Sequence, residues 1–234
     1  MPDSTAGPKI SCIICAYNEE PRIASVLAIV EDHPLIHEVI VVDDGSLDKT
    51  AEIVSRHPRV HLISYKQNRG KSYAMTVGVS QASGDLLVFL DADLVGLNAD
   101  DVSALIEPVR SGIAEVSISL RKNSLLIYKL LGLDFVSGER VFPAVFLLPH
   151  LTAIASLPGF GLEVYTNRII IEQKLRVRVV PWNHVINIRK TTKIGFWRGW
   201  MSELSMIRHV LSVASVGEII SQNYWLLRLR TKTQ

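Results

Sequence analysis

"EVIVVDDGSLDKT", residues 38–50, decides how this chain folds. An apolar run stops abruptly at two adjacent aspartates and a Gly-Ser pair. A strand that is apolar throughout is covered on both faces, as strands of a parallel sheet are. One that ends in Asp43 and Asp44 presents carboxylates at its carboxyl edge, where open α/β sheets bind their ligands. Working outward, the same alternation repeats. Residues 10–15 read as a first strand, and 21–31 as a helix with proline in its first turn. Residues 38–42 are the second strand, and 48–56 a helix with Ser46 or Asp48 as N-cap. A third strand over 60–64, a helix over 71–82 and a fourth strand over 86–90 complete the pattern. This order predicts a doubly wound, Rossmann-like, mostly parallel α/β sheet.

The second half is less regular. Further strands are expected over 116–120 and 177–180. A helix is expected over 197–213, with Trp197, Trp200, Leu204, Ile207 and Leu211 on one face. Residues 1–8 read as a polar lead-in, 9–190 as one domain, and 191–234 as a C-terminal amphipathic helical extension.

A net charge of +2 is too balanced to call for nucleic acid, whereas 48% hydrophobic residues and a mean hydropathy of +0.24 are high for a freely soluble protein. No stretch reaches the roughly 20 apolar residues of a spanning helix; the nearest, 141–157, is interrupted by Pro143, Pro149 and His150. "MPDSTAGPKI" lacks the apolar core of a secretion signal. These features predict a cytoplasmic protein, with contact at the inner membrane face left open. Cys12 and Cys15 form a C-x-x-C, but within a strand they point to opposite faces and no second pair completes a metal site. They read as core residues.

The chemistry begins with what the first turn lacks. Neither the dinucleotide glycine fingerprint nor a Walker loop follows the first strand; "AYNEE" stands there instead. An acidic turn cannot cradle a pyrophosphate directly, so the charge of a phosphate must be met elsewhere, most simply by a divalent cation. "LDADL", residues 90–94, offers Asp91 and Asp93 just past a buried strand. If the chain stays extended there, both side chains project the same way. Such hard oxygen ligands suit Mg²⁺ or Mn²⁺ bridging to substrate phosphates.

Taken as an ordered series, "CIICAYNEEPRIASVL", "EVIVVDDGSLDKT" and "NRGKSYAMTVGVSQASGDLLVFLDADL" resemble the N-terminal half of family 2 glycosyltransferases with the GT-A fold. More distantly, "DFVSGERVF" and "PGFGLEVYTNRII" resemble acceptor-side segments of dolichol-phosphate mannosyltransferase-like and glucosyl-phosphoglycerate-synthase-like members. The resemblance implies a metal-dependent glycosyltransferase, with residues 9–95 as its nucleotide-sugar half and 96–190 as its acceptor half. It implies that Asp44 reads the base of a UDP- or GDP-linked donor, with Cys15 and Tyr17 packing around it, Glu19 beside them and Lys71 facing the nucleotide. Asp91 would hold sugar or ribose hydroxyls and Asp93 the metal, with His184 as a candidate further ligand. Glu163 would be the general base for an acceptor hydroxyl. Ser137, Gly138 and Arg140 would form an acceptor loop, the arginine binding a phosphate bidentately. A phosphate-bearing, lipid-linked acceptor would suit the basic and aromatic residues at 197–211 and in "YWLLRLRTK", which fit a membrane surface. Three other classes fit less well. A receiver domain needs its acid pair after the first strand, a sugar-phosphate nucleotidyltransferase a Gly-rich basic loop there, and a non-catalytic nucleotide-binding module usually loses the metal acids.

Overall fold

The computed structural model describes residues 7–187 and 213–231; residues 197–212 of the expected late helix lie outside them. The main sheet has the order β3-β2-β1-β4-β7-β6-β8. Its strands are β1 (Ile10–Ala16), β2 (Glu38–Asp43), β3 (Val60–Ser64), β4 (Leu86–Asp91), β6 (Val116–Arg121), β7 (Arg140–Pro143) and β8 (Val177–Trp182), while β5 (Leu94–Val95) and β9 (Ile186–Asn187) make a small second sheet. All neighbours in the main sheet are parallel except β7, which runs against both β4 and β6. The expected mostly parallel α/β sheet is therefore present, and β7 is the departure from it. Four residues ending in Pro143 carry no periodic signal that reveals their direction.

Strand alternation splits the core in two. Cys12 and Ile14 face one layer, and Ile13 and Cys15 face the other. On the first layer lie α1 (Ile23–Val30), α2 (Thr50–Ser55) and α4 (Ala99–Arg110). In α1, Ile23, Val26, Leu27 and Val30 recur at helical spacing and are fully buried, each contributing about 1.5–3 kcal/mol. On α2 the side chain acting at the N-terminus is Asp48, which accepts from the Thr50 backbone N–H at 3.0 Å. A capping box between Asn98 and Asp101 starts α4. The other layer holds α3 (Lys71–Gln81), α5 (Leu126–Leu131), α7 (Leu151–Ala155), α8 (Gly161–Glu172) and α9 (Val216–Leu229). The most apolar stretch, 141–157, is cut at its prolines into β7, the short α6 (Ala144–Leu147), a 3₁₀ turn and α7. Among the described residues no helix is long and apolar enough to cross a membrane.

The C-terminal helix is stitched to the domain. Gln222 is buried, accepting from Asn167 and donating to the Val164 carbonyl, while Arg168 pairs with Glu218 at 2.6 Å. Beyond α9, the Thr231 N–H donates to the Val177 carbonyl at 2.8 Å.

The chain runs from β1 outward to β3, then returns to place β4 on the other side of β1. That reversal is a topological switch point, and its crevice opens at the carboxyl ends of the strands. Strand register lines up the residues there: Cys15 pairs with Asp91, and Ala16 with Asp43. Gly78 lets α3 press onto this edge, since a Cβ there would lie 2.6 Å from Ile13 Cγ2 and 3.3 Å from Val42 Cγ2. Gly78→Val is therefore expected to cost about 1–3 kcal/mol through overpacking, read as a lower urea midpoint. An unchanged midpoint would show that α3 has room to spare.

Candidate active site

At the switch point a cleft of about 420 Å³ is lined by Cys15, Tyr17, Glu19, Asp44, Lys71, Asp91 and Asp93, with Asn68 and Gly70. Every residue assigned to the donor side from the sequence thus meets in one place. They come from the ends of β1, β2 and β4 and the start of α3. One premise fails: the chain does not stay extended after Asp91 but turns at Ala92–Asp93. Both acids nevertheless line the cleft, Asp91 from the end of the strand and Asp93 from the turn.

The two acids of the DDGS turn divide their work. Asp43 is buried and accepts from Ser64 Oγ at 2.8 Å and from the Ser46 N–H, bracing the turn. Asp44 accepts from the Arg69 and Gly70 N–H groups at 2.8 and 2.9 Å, tying the "NRG" loop to β2. Gly45 sits at φ +72°, and a Cβ there would stand 2.8 Å from the Asn68 nitrogen, so the turn needs glycine for its conformation and for its contact. A carboxylate offers about four lone-pair directions, which leaves Asp44 capacity for a ligand donor.

Lys71 joins the donor side to the segment assigned to the acceptor. Its Nζ lies 2.9 Å from Asp91 Oδ1 and 2.9 Å from Glu163 Oε1. Burial alone would lower the lysine pKa, but the two carboxylates outweigh it and hold the value well above normal. Gly138 makes this junction possible, because a Cβ there would fall 2.6 Å from Lys71 Nζ and 2.9 Å from Asp91 Oδ1. Glu163 is 2% exposed, and its Oε2 has no partner among the described residues.

Behind Asp91 stands a buried set that sequence reasoning missed. Arg121, at the end of β6, pairs with Glu139 at 2.8 Å and lies 3.7 Å from Asp91 and 3.9 Å from Asp134. Glu139 also accepts from Ser119 and Ser137. The one available signal was charge in apolar company: Arg121 ends a strand-like run, and an arginine there needs a buried partner.

The acids outnumber the bases. Burial would raise the Asp91 pKa, but Lys71 and Arg121 bring it down to about 2. Asp93 has no such cation. Burial, then the charges of Asp91, Glu19 and Glu139, push it up to about 7 against the pull of Arg121. A carboxyl so disfavoured as an anion is suited to a divalent cation. No group of three or more His, Cys, Asp or Glu that could hold a metal occurs among the described residues. The donor set therefore fits an ion that takes most of its oxygens from substrate phosphates and water, not a closed protein cage.

Other assigned residues are engaged elsewhere. His184 Nε2 lies 2.9 Å from Asp101 Oδ2 and 3.1 Å from Asn98 Nδ2, at the start of α4. Glu19 is paired with Arg22. Ser137 is fully buried on Ser119 and Glu139. Arg140 is not available to a phosphate. Only 3% exposed, it donates to the Ser137 and Phe135 carbonyls, Thr166 Oγ1 and Asn167 Oδ1. It organises the acceptor-side loop from inside. The two thiols are free, with burial pushing Cys15 up to about 12.

Residues 11–123 match the family model of Glycosyl transferase family 2. The chain is 39% identical over 103 residues to the 4,4'-diaponeurosporenoate glycosyltransferase of Staphylococcus haemolyticus, covering 42% of this chain and 28% of that one. It is 36% identical over 94 residues to a dolichyl-phosphate beta-glucosyltransferase of Trichomonas vaginalis, covering 35% and 28%. The match thus spans under a third of these two relatives' length. Glucosyl-3-phosphoglycerate synthase from Mycobacterium tuberculosis, solved with Mn²⁺, UDP and phosphoglyceric acid, superposes with a TM-score of 0.70 at 24% identity, covering 90% of this chain and 80% of that one. At that identity the likeness speaks for the fold.

Two expectations follow. The Asp93 pKa is raised on folding, so the folded state holds a proton that the unfolded chain gives up. Stability is therefore lost as pH rises from about 4 to about 7, the interval between the unfolded and folded values. Asp93→Asn should raise the Tm of the metal-free protein at pH 8 and change it least at pH 4; equal changes at both would deny the charge crowding. Arg140→Met should lower stability by about 2–4 kcal/mol by leaving buried acceptors unpaired, seen in urea unfolding. A variant of normal stability that loses only acceptor affinity would restore Arg140 as a ligand.

Proposed function

We propose that the chain, whose residues 11–123 match the family model of Glycosyl transferase family 2, transfers a sugar from a nucleoside-diphosphate sugar to an acceptor arriving beside Glu163. The observation that carries this reading is the convergence of Cys15, Tyr17, Asp44, Lys71, Asp91 and Asp93 on one cleft at the switch point. A base bound between Tyr17 and the Asp44 turn would give its ring N–H to the Asp44 carboxylate. Lys71 fixes the rotamer of Asp91, which stays ionised and accepts from donor hydroxyls. Asp93 is the protein ligand for Mg²⁺ or Mn²⁺, an ion that would offset charge building on the diphosphate leaving group; His184, held by Asp101 and Asn98, is not part of this ligand set.

Where the nucleophile is a hydroxyl, Glu163 is the group that takes its proton. Its Oε1 is held by Lys71, and its buried Oε2 has no hydrogen-bond partner among the described residues, which leaves its lone pairs for an acceptor proton. Two relatives named for a dolichyl phosphate and for diaponeurosporenoate support an apolar, lipid-linked acceptor reached at a membrane surface. A phosphate acceptor would arrive already anionic and would need no base.

The test is a screen of UDP- and GDP-sugars by thermal shift with and without Mn²⁺. A donor at 100 times its Kd should add about 2.7 kcal/mol, only with the ion present and not in Asp93→Asn. No shift from any nucleoside-diphosphate sugar would overturn the reading. With the donor identified, Glu163→Gln should lower kcat by about 10²-fold or more and leave donor affinity unchanged. An unaltered kcat would remove Glu163 from the chemistry.

A further inference from the structure

The segment between β6 and β7 leaves Arg121 at the carboxyl end of β6 and returns at Arg140, so it lies on the active-site edge of the sheet. Its helix, α5, buries none of its residues. Leu126, Ile127, Leu130 and Leu131 are 72%, 59%, 79% and 37% exposed. Water contact for four large apolar side chains on one short helix is unfavourable by roughly 25 cal/mol per Å², and such a patch marks a surface meant to be covered. The helix is nonetheless held in place. Tyr128 stacks edge-on against the buried Phe135 with centroids 5.5 Å apart. Ser124 donates to Asp134 at 2.7 Å, and Asp134 faces Arg121 of the active-site set. Gly132, at φ +67°, ends the helix, and Arg230 from beyond α9 donates to the Leu131 and Gly132 carbonyls.

That last contact brings a second apolar face alongside. On α9, Val216, Ile220, Tyr224 and Arg228 recur every four residues and are exposed, with Trp225 beside them. The exposed charges are of one sign. Lys122, Lys129, Arg228 and Arg230 are all exposed, while the one acid on α5 and α9, Glu218, is neutralised by Arg168 at 2.6 Å. Apolar side chains, aromatic rings and cations without an exposed acid complement an anionic lipid surface. A second copy of this chain would instead bring these cations against themselves.

We propose that α5, with the exposed face of α9, docks the protein on an anionic bilayer and thereby holds the Glu163 side of the cleft at the headgroup boundary. The proposal rests on the membrane-surface acceptor put forward above and names the element that makes the contact. Leu126, Ile127 and Leu130 enter the boundary, while Lys129 and Arg228 meet anionic headgroups. The Arg121–Asp134–Ser124 connection ties the docked helix to the set behind Asp91.

The experiment is flotation of the 234-residue chain with vesicles of phosphatidylcholine alone or mixed with phosphatidylglycerol. The wild type should float with the mixed vesicles at low salt and detach as salt rises. Leu126→Gln, Ile127→Gln and Leu130→Gln together should weaken partition by about tenfold or more, with the melting curve and donor binding unchanged because all three positions are exposed. Lys129→Gln with Arg228→Gln should abolish the preference for anionic vesicles, lowering partition to them by about 30-fold. If the wild type binds no vesicle, the membrane-surface reading fails and this proposal with it. If the wild type floats and the triple variant floats equally well, the assignment to α5 alone is overturned. A wild-type oligomer that the triple variant converts to monomer, without vesicle binding, would make a second copy the occupant and also overturn it.

Discussion

One ammonium group holds the site together. Lys71 Nζ sits 2.9 Å from carboxylates on two different elements, Asp91 at the end of β4 and Glu163 at the start of α8. Without that cation, two acids would be driven together in a poorly hydrated place, and one would have to take up a proton. The approach is possible because two glycines make room: Gly78 lowers α3 onto the sheet, and Gly138 leaves the junction free of a Cβ. The cleft at the switch point and the start of α8 are thus one electrostatic unit, coupled through a single side chain.

The same bookkeeping explains why the DxD acids differ. Asp91 has Lys71 in front and Arg121 behind, and remains an anion. Asp93 is left facing the surplus of negative charge and is poised near neutrality. The paired acid needs no further partner to stay ionised, whereas the unpaired one is relieved by taking up a proton. The buried Arg121–Glu139 pair is costly to desolvate. It is tolerated because Ser119 and Ser137 satisfy the remaining glutamate lone pairs.

The second half of the chain is built on a different principle. Arg140 commits its guanidinium to the Phe135 and Ser137 carbonyls of its own loop and to Thr166 and Asn167 of α8, and Gln222 ties α9 to α8. These polar contacts make a rigid frame from short, irregular elements that lack a long apolar stripe. Rigid placement matters for α5, whose exposed leucines would otherwise gain by folding back onto the core.

The sequence by itself determined the parallel half of the fold and which residues line the cleft at its switch point. Apolar strands closed by acids are local patterns, and "VVDDGS" and "LDADL" each carry their chemistry within a few residues of a strand end. Strand alternation likewise settled the two cysteines. Tertiary structure alone decided the rest, because those features depend on pairings between distant residues. Lys71 finds Glu163 across 92 positions, and His184 finds Asp101 across 83. The direction of β7 is set by its neighbours, since four residues hold no period of their own. Arg140 read as a phosphate ligand because a guanidinium carries the same donors whether it faces a substrate or the protein interior. Only burial, which is a property of the packed chain, separates the two.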